Sequence, residues 1–355
     1  MIQRPAQEKN ISISTNDKIA LVSNLSTMLE AGIPILESID SLLEDSRGSL
    51  KKVLETVRED VSAGKRISSS FAKFPKVFDN VTVNIVKASE ESGTLEVALK
   101  DLRDKITKET EFNDKIRSAL IYPSVILVVF LGVLIVILTF VIPKISMVFT
   151  RLKLELPLPT KILIFTSNLI LNYTWPTVIG IGVTILALVF LYNRNKKFFL
   201  NIFFSLPLIS DLAKQIDLTR FSHSLYLLLN SGIPISAALE LTSDVVTKKE
   251  VEKAIIRSKE TILSGKKLSE GLKDQKKTIP SIMIKLIEAG EKSGSLEKSM
   301  QDISKHFEYQ VEKTLATITV LLEPVVLVAT GLLIGGMMLS IIAPIYGLIG
   351  QVGAR

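Results

Sequence analysis

The chain has no cysteine, only two histidines and one tryptophan in 355 residues. The missing thiols exclude cysteine nucleophiles, thiolate metal sites and disulfides, and fit soluble parts kept in a reducing compartment. His223 and His306 each stand alone on a helical stretch. Neither has a second ligand three or four residues away, so a zinc site or a catalytic triad has no sequence support. The N-terminal MIQRPAQEKNISISTNDK lacks an apolar h-region and is not read as a signal peptide.

A basic stripe is also lacking. Residues 1–118 hold 18 Lys+Arg against 19 Asp+Glu, and residues 193–317 hold 20 against 15. The two signs interleave as on solvated helix faces, so no nucleic-acid partner is expected. Nor is there a P-loop. Gly64-Lys65 and Gly265-Lys266 resemble its end, but the first glycine of that motif would fall on Glu59 and Glu260, and no Ser or Thr follows either lysine. Both pairs read as helix ends. No cofactor, metal or enzymatic activity is expected, and any energy source must be a partner.

What the chain has is apolar length. Ala119–Pro143 is 25 residues without a charge. At about 1.5 Å per residue this is roughly 37 Å of helix, enough for a bilayer core of about 30 Å. Thr314–Ala354 repeats the pattern with one charge, Glu323. Pro123 superposes on Pro324 and Pro143 on Pro344, both at an offset of 201. The offset extends upstream. Ala31-Gly32-Ile33-Pro34-Ile35 matches Ser231-Gly232-Ile233-Pro234-Ile235 at 200. Ala63-Gly64-Lys65 matches Ser264-Gly265-Lys266, and Glu90-Glu91-Ser92-Gly93-Thr94-Leu95-Glu96 matches Glu291-Lys292-Ser293-Gly294-Ser295-Leu296-Glu297, both at 201. The chain is a tandem repeat.

Within each copy the apolar residues recur with the helical period, as at Leu21, Leu25, Met28 and Leu29. Gly32 and Gly232 stop a helix in a left-handed C′ conformation. Pro34 and Pro234 restart the chain in a first helical turn. Gly93 and Gly294 end another helix, and Thr94 and Ser295 cap the next, with Glu96 and Glu297 in its first turn. The expected fold is an all-α membrane protein with two cytoplasmic helical bundles of about six helices each and three transmembrane helices. Its order is a flexible N-terminus 1–16, bundle 17–118, span 119–143, external loop 144–174 with an amphipathic segment, span 175–192, bundle 193–317, span 318–345 and external tail 346–355. The middle span, flanked by Tyr173, Trp175 and Tyr192, returns the chain to its starting side. Lys105, Lys108, Lys115 and Arg117 before the first span, and Arg194, Lys196 and Lys197 after the second, place both bundles in the cytoplasm.

Three features carry candidate roles beyond packing. The acidic group Glu90, Glu91 and Glu96 offers oxygens to a cation such as calcium, though one helical turn rarely supplies enough of them. Glu323, opposite Tyr122 of the first copy, is either an intramembrane carboxylate with a function or an anchor at the cytoplasmic interface. Gly331 and Gly335 have the spacing that lets two membrane helices approach closely. A transporter or a membrane-anchored sensor is the alternative from another class. Three spans with one carboxylate make a poor translocation path, and no sensor pocket is apparent.

The doubled A/S-G-I-P-I, the doubled E-x-S-G-x-L, Tyr122-Pro123 beside Glu323-Pro324, Leu158-Pro159-Thr160, Trp175 and Ala343-Pro344-Ile345-Tyr346 resemble the inner-membrane platform proteins of type II secretion and type IV pilus machines. The resemblance covers about residues 17–350. The departures are a short N-terminal extension and Ser89-Glu90 in the first copy where the second has Gly290-Glu291. The resemblance implies a non-enzymatic, homo-oligomeric hub, with partners in a cytoplasmic hexameric ATPase, pilin or pseudopilin subunits, other inner-membrane assembly proteins, the lipid bilayer and further copies of itself.

Three spans put the termini on opposite sides of the membrane. A reporter active only outside the cytoplasm is expected to work when fused after Arg355 and to fail when fused at Ser118 or near Asp217. Activity at all three points overturns the repeat topology.

Overall fold

A computed structural model describes residues 11–144, 146–147, 164–165, 167, 207–276 and 278–352. The expected span 175–192 and nearly all of the expected loop 144–174 lie outside the described residues. The regular structure among the described residues is all helical, with no strand. The first copy forms α1 (Thr15–Glu30), α2 (Ile35–Asp45), α3 (Gly48–Ser62), α4 (Ile67–Phe71), α5 (Asn80–Ser92) and α6 (Leu95–Val136). The second forms α7 (Pro207–Asn230), α8 (Ile235–Ser243), α9 (Lys249–Leu263), α10 (Leu268–Lys273), α11 (Ser281–Ser293) and α12 (Leu296–Val352).

The boundaries follow from local chemistry. The Ser14 hydroxyl accepts the Asp17 N–H at 3.1 Å, so α1 begins slightly before the apolar periodicity does. At its other end Gly32 has φ 78°, and Ile33 N–H reaches the Met28 carbonyl at 2.9 Å. Gly232 repeats this with φ 75° and Ile233 N–H on Leu228 at 3.0 Å. This six-residue closure is the Schellman arrangement, and it needs a left-handed residue. Pro34 and Pro234 lie one position earlier than the first helical turn, as N-caps of α2 and α8. Their extended backbone suits a residue whose ring fixes φ, and their carbonyls accept the N–H of Ser38 and Ala238, each at 2.9 Å.

The offset changes from 200 to 201 between α8 and α9. The second copy absorbs an extra residue there, in a longer connection. Buried Asp217 of α7 holds that connection by accepting the Thr247 N–H at 3.0 Å and the Lys248 N–H at 2.6 Å.

Two compact units emerge. One comprises Met1–Lys115 with Asp211–Glu312, and the other Ile116–Ser210 with Lys313–Arg355. In the first unit the apolar faces of both copies join one continuous core. Leu25 and Leu225, Ile39 and Leu239, and Leu54 and Ile255 are repeat-related pairs within it. Helices adjacent in the chain pack on each other, and α5 touches α8 across the copies, where the Asn80 amide donates to Asp244 at 3.1 Å. Removing these aliphatic faces from water is the main stabilising term. In the second unit Leu138, Ile142 and Ile164 form a small cluster.

Repeat symmetry fails informatively at one contact. A Cβ on Gly290 of α11 would lie 2.8 Å from the Ser299 Cβ of α12, closer than real carbon atoms sit. At the same repeat positions the first copy has Ser89 and Ala98, both buried. The larger side chain has changed helices, and the combined size is nearly kept.

Two glycine classes therefore respond differently. Gly32→Ala has no steric neighbour and is expected to cost about 1 kcal/mol through φ alone. Gly290→Ala is expected to cost about 1–3 kcal/mol by overpacking, and Ser299→Ala, which removes the Ser299 Oγ that lies nearer still, should restore part of it. Melting of the detergent-solubilised full chain measures both. Absence of rescue by Ser299→Ala rejects the packing account.

Candidate functional site

The carboxylate of the E-x-S-G motif has a defined structural use. From the end of α5, Glu90 reaches the start of α4 and accepts the backbone N–H of Ile67 at 2.5 Å and of Ser68 at 3.1 Å, together with the Ser68 hydroxyl. Its repeat mate Glu291 accepts the N–H of Leu268 at 2.6 Å and of Ser269 at 3.3 Å at the start of α10. An anion there faces the positive end of the helix dipole and satisfies amides that a helix of five or six residues cannot. Glu91 pairs with Arg66 at 2.6 Å. Glu90 and Glu91 of the candidate cation group are thereby taken up by internal partners, and no three metal-capable side chains converge among the described residues. Thr94 and Ser295 each share a hydroxyl contact of 2.7 Å with the serine two residues earlier.

Besides Asp217 of the second copy, two groups of the first copy are buried charges that the sequence reading did not mark as such. Asp60, on the inner face of α3, takes Lys65 at 2.8 Å, the Ser70 hydroxyl at 2.8 Å and Lys73. Burial alone would push this carboxyl up, but the hydrogen bonds from Lys65, Lys73 and Ser70 outweigh it and hold it at about 2. Lys105 of α6 is buried, 3.3 Å from Asp79 and 3.8 Å from Glu109. Asp79 also caps α5 by accepting the Thr82 N–H at 2.6 Å. The signal was present: Asp60 continues the Val53, Val57 stripe and Lys105 lies between Leu102 and Ile106. The second copy has Thr261 for Asp60, Gly271 for Ser70, Asp274 for Lys73 and His306 for Lys105.

The apolar stretches of α6 and α12 have another character. Each is long and apolar enough to cross a membrane. Val128 is 68% exposed and Leu332 73%, which rules out the core of a water-soluble fold as their environment. Pro123 lies inside α6 without ending it. Tyr122 and Glu323 are both exposed, and Glu323 has no hydrogen bond or ion pair among the described residues. Pro324, Gly331, Gly335 and Pro344 fall within the bounds of α12. A Cβ on Gly331 or Gly335 would meet nothing within 4 Å, so this face is open. A five-residue π-helix, Ile137–Val141, follows α6, and the buried Ser167 hydroxyl donates to its Leu138 carbonyl at 2.6 Å. The sequence gave no sign of this wider turn. Where the first unit ends, Lys115 of α6 bonds Glu312 of α12 at 2.8 Å and lies 3.8 Å from Glu308.

The protein family described as type II secretion system (T2SS), protein F, matches residues 21–143 and again residues 221–344. The chain belongs to this family. The family's two blocks start 200 residues apart and end 201 apart, the same spacing as the internal repeat. Relatives carry the names of both machines. The chain is 28% identical over 343 residues to a type IV pilus assembly protein PilC of Myxococcus xanthus, covering 96% of this chain and 82% of that one. It is 29% identical over 361 residues to a protein of the same name from Thermus thermophilus, covering 100% and 87%. A type II secretion system protein F of Aeromonas hydrophila is 28% identical over 350 residues, covering 94% and 87%.

The depressed Asp60 carboxyl makes an acid-side prediction. Its folded value, about 2, lies below the unfolded value near 4, so its contribution is present above about pH 4 and is lost as pH falls toward 2. Asp60→Asn should melt lower than the parent at neutral pH, and the difference should shrink in that acid window. A difference constant with pH would mean that the charge is irrelevant.

Proposed function

We propose that this chain is the inner-membrane platform of a type IV pilus or type II secretion machine, coupling a cytoplasmic hexameric ATPase to the insertion of pilin or pseudopilin subunits. Family membership and relatives named for both machines support the general role. The observation that carries the coupling is the continuity of α6 and α12. Each repeat-related helix begins among packed, polar-faced helices and continues without a break into exposed apolar side chains such as Val128 and Leu332. A continuous helix transmits a displacement at one end to the other, and the Lys115–Glu312 pair links the two helices before their apolar stretches.

In this reading three spans, the middle one at 175–192, leave the N-terminus in the cytoplasm and the C-terminus outside. Gly331 and Gly335 offer a face for self-association. Gly32, Pro34, Gly93 and their repeat mates fix the helix ends. Glu323 grips a partner, either a basic residue or a charged group of an incoming pilin, beside Pro324, which lacks the N–H for one helical hydrogen bond. An interfacial anchor has no such need for charge.

Glu323→Gln separates the two roles. The variant is expected to insert in the membrane and to co-purify with the ATPase, yet to lose pilus or pseudopilus assembly. Normal assembly at native expression rejects the coupling role. Failure to recover the ATPase with the parent chain would reject the platform reading itself.

A further inference from the structure

A cavity of about 130 Å³ opens inside the helical unit, where α6 of the first copy meets α7 and α12 of the second. At roughly 30 Å³ per water it has room for about four waters, or one compact tetrahedral anion. Lys108 comes from α6, Arg220 and His223 from α7, and Lys305 from α12. Phe112 and Tyr226 supply apolar wall. Two carboxylates also line the cavity, and each has a further cation near it: Glu109 is 3.8 Å from Lys105, and Glu308 is 3.8 Å from Lys115. Arg220 is bonded to the Asn113 amide oxygen at 3.2 Å, and its charge also acts on Asp217, three residues earlier on α7. Lys108 and Lys305 have no ion pair among the described residues.

We propose that this cavity is a binding site for a phosphate-type oxyanion, joining the two copies through Lys108, Arg220 and Lys305. Three cations against two carboxylates leave the lining with net positive charge, which an oxyanion between the three helices offsets, and a largely apolar wall strengthens that attraction. Arg220 supplies directed N–H donors and the lysines supply mobile charge. His223 is the reporter. Burial, then Lys105 and Lys108, push its imidazole down to about 4, so it is neutral in the empty site. A bound oxyanion offsets those cations and draws a proton onto the ring. Binding is therefore coupled to proton uptake and strengthens as pH falls toward 4. The groups around the ring are Lys105, Lys108 and Glu109 from α6, Arg220 and Tyr226 from α7, and Lys305 and Glu308 from α12.

Two histidines make the test direct. The full chain, with histidine-selective isotope labels, gives two imidazole signals, and His306→Gln assigns them. Inorganic phosphate, added in neutral detergent at constant ionic strength, is expected to move the His223 signal saturably and leave His306 in place. Sulfate, whose charge does not change in this range, should bind more tightly at about pH 5 than at about pH 8. Lys305→Gln, an exposed position, should melt like the parent and weaken binding at least about tenfold, some 1.4 kcal/mol. The source is separated by bilayer composition. A His223 shift in phosphatidylglycerol nanodiscs without free phosphate, absent in phosphatidylcholine, assigns the oxyanion to a lipid headgroup. A response to inorganic phosphate in phosphatidylcholine nanodiscs assigns it to a soluble source. No shift in either, an equal shift with chloride, or an unchanged response in Lys305→Gln overturns the site. None of these outcomes depends on ATPase binding or pilus assembly.

Discussion

A helix of one turn cannot satisfy its own backbone, and both copies of this protein contain one. In α4 and α10 nearly every amide is an end amide. The acids Glu90 and Glu291, each at the far end of the next long helix, supply the missing acceptors. That single interaction closes the chain path from the short helix through the following loop and back. Each acid lies three residues before the glycine that ends its helix and turns the chain into α6 or α12. The direction of the two long apolar helices therefore depends on a carboxylate meeting a helix N-terminus.

The copies share this closure and differ in how the rest is held. The first copy ties α3 to α4 with a buried carboxylate, two lysines and a serine. The second brings α9 and α10 close with a threonine and a glycine, since a Cβ on Gly271 would sit 3.0 Å from the Thr261 side chain. One solution depends on charge and so on pH; the other depends on the absence of a side chain. The two copies therefore carry different electrostatics at equivalent positions.

Much of the architecture was readable from residues. The helical period located the apolar faces, and the glycines of the doubled motifs marked the helix ends, because only a left-handed residue completes those closures. The prolines were displaced by one position, because an extended N-cap suits the ring as well as a first turn does. What stayed hidden were tertiary pairings. Asp60 and Lys105 look like ordinary surface charges until partners from other parts of the chain converge on them. Glu90 offered oxygens that suited a cation, but its ligands turned out to be amides 22 and 23 residues away. The oxyanion cavity draws its cations from three helices spread over both copies, so no local window contains it.

The exchange of sizes between Ser89–Ala98 and Gly290–Ser299 bears on how the chain finds its fold. A tandem repeat risks pairing a helix with the wrong copy of its neighbour during folding. If α11 docked on α6, glycine would face alanine and leave a void. If α5 docked on α12, serine would meet serine in a space that the native pair fills with one hydroxymethyl group. Either mispaired state loses packing that the correct one keeps. The broken symmetry thus works as an address, telling two nearly identical helices which partner belongs to each.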